Sequence, residues 1–158
     1  MGVPAPRAWD SLARAALVAV VAAGCVPSAW PDPPALVRDD ADIFTAGAEF
    51  AADTRLRQIA RDHGAWIFVL THPRPDPPRV LEGPMGEADD AGVQAVAFVL
   101  QRDGLDSTGR NEAAQDLFDV LTQAGIETSF SVAALEPGRA DKALGTFVTK
   151  VEGILNGR

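Results

Sequence analysis

The sequence predicts an α/β domain: a small sheet of three to four strands with helices packed on it, an α/β sandwich. Three observations carry this expectation. Trp66 to Thr71 and Val93 to Leu100 are short, continuous apolar runs, the pattern of strands buried on both faces. Stretches with apolar residues at helical spacing alternate with these runs, which favours a sheet covered by helices. Gly64, Gly125 and Gly157 stand where those helical stretches should end.

Along the chain, Thr45 is suited to cap a helix running to about His63 and ended by Gly64. Ala52, Leu56, Ile59, Ala60 and His63 form its apolar stripe, and Phe50 falls off that stripe. The first strand, 66–71, is stopped by the proline-rich run from His72 to Pro78. From there to Asp90 a long surface loop with at most a short helix is expected. The second strand is 93–100, followed by a turn-rich loop from Arg102 to Gly109. Ala114, Leu117, Phe118, Leu121 and Ala124 mark a second helix, with Gly125 as its cap. Ile126, Thr128, Phe130 and Val132 alternate, which predicts a third strand over 126–134. After the turn Glu136-Pro137-Gly138, the residues Leu144, Phe147, Val148, Val151 and Leu155 define a last helix. A fourth, edge strand is left to the loops.

Ahead of this domain the chain reads as an export signal. Arg7 and Arg14 precede an apolar run, Ala15 to Ala23, about half the length of a membrane-spanning helix. The chain's one cysteine, Cys25, follows Ala22-Ala23-Gly24, an arrangement that resembles the bacterial lipobox. In that motif the thiol is acylated, for example with palmitate, and becomes the mature N-terminus. Plain secretion with cleavage near Ala29 is the competing reading. The expected organisation is a lipoprotein signal peptide over 1–24, a Pro-rich tether over 25–35, and one α/β domain over 36–158. The protein is then exported and lipid-anchored on the extracytoplasmic face of a bacterial membrane.

Composition limits the partners. The chain carries a net charge of −8, and the signal segment contributes one positive charge, so the exported part is more acidic still. Nucleic acid and anionic lipid surfaces demand basic patches and are not expected. With Cys25 lipidated, no disulfide is available, and stability has to come from packing. Tyrosine is absent and aromatics are 6% of residues, which disfavours a large aromatic-lined ligand site.

The common catalytic templates are missing. There is no Gly-rich phosphate loop and no Gly-x-Ser-x-Gly turn. His63 continues an apolar helical stripe and reads as a core or edge residue. His72 sits at a strand end, where active-site residues often lie, but it has no nucleophile partner in view. Two acidic clusters remain: Asp39, Asp40 and Asp42 before the first helix, and Glu87, Asp89 and Asp90 before the second strand. Hard divalent cations need several oxygen ligands, which separate loops can supply. Carboxylates also favour helix N-termini or simply stay solvated, and that is the preferred reading.

The stretch Val37-Arg38-Asp39-Asp40-Ala41-Asp42-Ile43-Phe44-Thr45 resembles the opening of the TPM domain family, phosphatase-like domains of bacterial envelopes and the thylakoid lumen. Asp90-Ala91-Gly92-Val93 is similar to that family's second motif, with Ala91 in the place of its usual asparagine. The resemblance covers about residues 36–100. It implies an α/β sandwich at the outer face of a membrane, in a family with acid phosphatases, calcium binders and assembly modules. Asp39 matches the first motif's aspartate; Asp90 and Gly92 match the second. The functional expectation is an envelope-anchored lipoprotein acting as a protein-interaction or accessory module, non-catalytic, with an envelope protein as partner and no cofactor. The alternative is a divalent-metal-dependent phosphatase of the TPM type, with Asp39, Asp40 and Asp90 as ligands for a cation such as Ca²⁺.

Overall fold

The computed structural model describes residues 30–73, 77–131 and 134–157. In chain order the elements are β1 (Val37–Asp39), α1 (Ala46–His63), β2 (Ala65–Thr71), α2 (Pro77–Ala91), β3 (Gln94–Gln101), β4 (Gly104–Arg110), α3 (Gln115–Gln123) and α4 (Ala140–Asn156). Short 3₁₀ turns at Glu112–Ala114 and Ile126–Phe130 flank α3. The four strands form one sheet in the order β1-β2-β3-β4, with the first three parallel and β4 antiparallel to β3. The expected α/β sandwich is thus the observed fold.

Strand register assigns each face. Val37, Val69 and Phe98 are partners across β1, β2 and β3 and share one face, while Arg38, Leu70 and Val99 share the other. On the first face, Phe98 meets Phe147 of α4 edge-on at 5.0 Å, and Phe147 lies 4.7 Å from Phe130. All three rings are almost fully buried, and each such side chain contributes about 2–3 kcal/mol of hydrophobic stabilisation. α1 shares this face with α4, and the two are joined by the Thr45–Asp141 and Arg55–Glu152 hydrogen bonds. α2 covers the opposite face, where its Leu81 side chain presses on Gly109 of β4. Both parallel steps run in the same direction across the sheet, yet α1 and α2 lie on opposite faces. The two crossovers are therefore of opposite hand, one of them the rarer left-handed form.

α1 forms as its signals dictate. The Thr45 hydroxyl accepts from the Ala48 N–H, Gly64 ends the helix at φ 64°, and Ala52, Leu56, Ile59 and Ala60 are its buried stripe. His63 is exposed at the helix end and bonds Asn156 at 3.1 Å, so it is not a core residue. Upstream, residues 30–35 have no regular secondary structure and lie against α1. The Pro33 carbonyl accepts from Arg57 at 2.8 Å, and Asp32 stands 3.5 Å from Arg61.

Three segments differ from the sequence expectation. The long loop after β2 is instead the 15-residue helix α2. Proline is compatible with a helix's first turn. Leu81, Pro84, Met85 and Ala88 then repeat at helical spacing and pack inward. The turn-rich loop after β3 is β4, joined by a tight hairpin at Arg102-Asp103 with Gly104 at φ 128°. The third strand expected over 126–134 is absent from the described part of that range. Its first half is a 3₁₀ turn whose buried residues are Ile126, Ser129 and Phe130, a spacing of three and four rather than two; 132 and 133 lie outside the described residues.

Candidate functional site

The end of β1 and the loop after it are densely cross-tied. Asp39 Oδ1 accepts from the Ile43 N–H at 3.0 Å and from the Thr71 hydroxyl at 2.5 Å, while Oδ2 accepts from the Phe44 N–H at 2.7 Å. Thr71 Oγ1 in turn accepts from the Ala41 N–H at 2.9 Å. Arg102, in the β3–β4 hairpin, donates to the carbonyl of Ala41 at 3.1 Å and reaches that of Asp42 at 3.5 Å. These bonds hold Asp42 in the left-handed region at φ 53°, which few residues other than glycine adopt without such support.

Beside this loop, at the C-terminal edge of β1 and β2, a cleft of about 480 Å³ opens between the sheet and α2. Arg38, Asp40, Thr71, His72, Arg79 and Pro84 are among the residues lining it. The carboxyl ends of parallel strands are the usual ligand position in open α/β sheets. Arg38 is fixed in place: its guanidinium lies 5.4 Å over the Phe68 ring, donates to the Ala35 carbonyl and pairs with Glu87 of α2 at 2.6 Å. The cleft thus combines two guanidinium groups, one carboxylate and an imidazole around a partly apolar floor.

The three carboxylates expected to share a metal do not meet. Asp39 and Asp40 are adjacent at the C-terminal end of β1, and Asp40 is exposed at the cleft. Asp90 is exposed in the last turn of α2, which delivers the chain to the start of β3. It stands at the opposite edge of the sheet, a strand length of about 20 Å away. Among the described residues, no group of three or more His, Cys, Asp and Glu side chains is arranged to hold a metal ion. Cys25 lies outside the described residues.

The second acidic cluster is divided among separate partners. Glu87 pairs with Arg38, Asp89 accepts from Asn111, and Asp90 faces solvent. Asn111, which the sequence did not single out, is a buried hub. Its Oδ1 accepts from the Ala95 N–H, and its Nδ2 donates to Asp89 and to the Val93 carbonyl. It thereby ties the end of β4 to the start of β3 and the end of α2. Its partners lie 16 to 22 residues away, so no local motif marks it.

Glu49, in the first turn of α1, is the one described group with a clearly displaced pKa. Burial raises it above the ordinary glutamate value, and the nearby Asp39 and Asp53 carboxylates raise it further. Asp53 is itself engaged, accepting from the Leu36 and Val37 N–H groups and from Arg57.

No family model and no curated protein sequence matches the chain. Among solved structures, it is similar to the N-terminal domain of a P. gingivalis protein determined by solution NMR. The TM-score is 0.53 at 20% identity, over 80% of this chain and 85% of that one. This likeness establishes the fold.

Proposed function

We propose that the protein is an exported lipoprotein, held at the envelope by acylated Cys25, whose divergent TPM-type domain binds an envelope protein and does not catalyse. One observation carries this reading: the carboxylates that metal-dependent hydrolysis would require are spent or separated. Asp39 has both oxygens committed to Ile43, Phe44 and Thr71, and Asp90 lies at the far edge of the sheet from Asp40. A phosphatase of the TPM type would need a cation between those carboxylates to offset their repulsion of a phosphate. The cleft supports partner binding instead. It is open, mixed in charge and backed by a rigid loop, features of a modest protein contact.

Chain length orients the domain. Trp30 packs on Gly64, at the N-terminal edge of β2. It lies five positions after Cys25, a span of at most about 17 Å. An acylated Cys25 therefore keeps the N-terminal edge of the sheet near the bilayer and turns the cleft toward the envelope space. Among the described residues no helix is long and apolar enough to cross a membrane.

The test is cell fractionation of Cys25→Ser, followed by cross-linking from intact membranes. Loss of membrane retention, with a partner captured by the native protein and lost in Arg38→Glu, is expected. Full retention of the Cys25→Ser protein, or hydrolysis of an aryl phosphate that depends on Asp40, overturns the proposal.

A further inference from the structure

A groove of about 430 Å³ lies between the 3₁₀ turn Ile126–Phe130 and α4. We propose that this groove binds a small phosphate anion. The chain has 22 acidic residues and only two lysines, Lys142 and Lys150, and both lysines line this groove. Arg139 joins them, and none of the described lining residues is acidic. An acidic protein that gathers both its lysines in one groove, with no carboxylate among the described lining residues, has created a local positive potential against its own net charge.

The geometry suits an oxyanion with several acceptor oxygens. Lys142, Thr146 and Lys150 follow one another at every fourth position of α4 and so share a face. The two lysine Cα atoms are about 12 Å apart along the axis, close enough for both long side chains to converge over Thr146. Neither lysine forms an ion pair with a described residue, whereas Arg38, Arg55, Arg57 and Arg61 all do. Arg139 is held only by an exposed contact to Glu136 at 3.2 Å, a pairing worth little in water.

The opposite wall supplies the second observation. Ser129 is 7% exposed, yet its hydroxyl has no hydrogen-bond partner among the described residues. An unpaired buried hydroxyl is costly, and a ligand oxygen would satisfy it. The neighbouring Thr128 hydroxyl already donates to the Gly125 carbonyl at 2.8 Å, and Ser129 and Thr146 are the other hydroxyl-bearing residues lining the groove. Three cations and two hydroxyls exceed what a single carboxylate can use and match the oxygens of a phosphate group. The acidic remainder of the surface excludes a long polyanion, so the ligand is small.

Possession of only two lysines makes the test direct. Reductive ¹³C-methylation of the full chain keeps both charges and gives one NMR signal per lysine, with the α-amino group as internal reference. Titration with inorganic pyrophosphate at low salt should shift both lysine signals saturably with one shared midpoint. Ser129→Ala should weaken that midpoint about threefold to tenfold, and Lys150→Gln about tenfold as read at Lys142. Shifts that are linear and equalled by chloride at matched ionic strength overturn the proposal. So does a midpoint that neither variant changes, or a response to phosphatidylglycerol vesicles without one to pyrophosphate.

Discussion

Asp39 and Thr71, 32 residues apart, share a 2.5 Å hydrogen bond that fastens the end of β1 to the end of β2. The bond is one link in a chain: Ala41 donates to Thr71, Thr71 donates to Asp39, and Asp39 also accepts from Ile43 and Phe44. An aspartate so placed acts as a clasp. It satisfies backbone donors that would otherwise be left unpaired at the entrance to α1, and it fixes the floor beside the cleft.

A clasp and a metal ligand respond differently to removal. Asp39→Ala leaves two N–H groups and a hydroxyl without their charged acceptor, and hydrogen bonds to charged groups contribute about 1.5–3 kcal/mol each. The domain is half open there, so the expected loss is about 2–4 kcal/mol, read from urea unfolding. Asp90→Ala, at an exposed helix end, is expected to change stability by under about 0.5 kcal/mol. Equal effects of the two substitutions, both abolished by excess Ca²⁺ chelator, would instead indicate a shared cation.

Gly109 sets how closely α2 approaches β4. A Cβ at that position would lie 2.8 Å from Leu81 Cδ2 and 2.9 Å from Cδ1. Gly109→Ala is expected to cost about 1–2 kcal/mol, at the mild end for overpacking because a leucine tip can rotate. The cost should largely vanish in a Leu81→Ala background, since the clash partner is then gone. Additive penalties in that double-mutant cycle would mean that α2 does not rest on Gly109.

Where sequence signals were local, they were sufficient. Thr45 and Gly64 bracket α1, Gly125 follows α3, and the apolar runs of β2 and β3 stand within one residue of their expected limits. Three segments hide their structure in the sequence for specific reasons. Pro77 and Pro78 look like a stop in the sequence but begin a helix, and Gly83, Pro84 and Gly86 mask the inward repeat of Leu81, Met85 and Ala88. β4 is polar because it is an edge strand, and in sequence its Asp103-Gly104 hairpin signal resembles that of a loop. The separation of Asp39 from Asp90 follows from parallel strands: a loop leaving β1 and a loop approaching β3 lie at opposite edges. The roles of Asn111 and Ser129 depend on partners or neighbours distant in sequence, and only the folded structure brings those together.

Glu49 gives the stability of the domain a definite pH dependence. Its pKa is raised in the folded state by burial and then by Asp39 and Asp53, so the native protein holds this proton more tightly than the unfolded chain. The associated stabilisation is full below the ordinary glutamate pKa of about 4.3 and is lost as pH rises through the elevated folded value. Glu49→Gln should therefore be more stable than the native protein at neutral pH and indistinguishable from it near pH 3. A Glu49→Gln protein that is less stable at pH 7 would show that the helix-dipole benefit of the charge outweighs its burial.

The orientation that a lipid on Cys25 would impose can be read with single labels, because the chain has no other cysteine. Asp103→Cys places a fluorophore in the exposed β3–β4 hairpin, at the same end of the sheet as the cleft, and Asp62→Cys places one on the exposed end of α1 near Trp30. The two sites are separated along the strand direction by about 20 Å, the length of β2. Five residues of extended chain would reach at most about 17 Å from an acylated Cys25 to Trp30. In vesicles carrying the lipidated protein and nitroxide-headgroup lipid, the label at position 62 should be quenched several-fold more strongly than the label at 103. Equal quenching would mean that the domain tumbles freely about its anchor and that Trp30 does not stay docked on Gly64. Stronger quenching at 103 would place the cleft against the bilayer and remove it as a surface for an envelope protein.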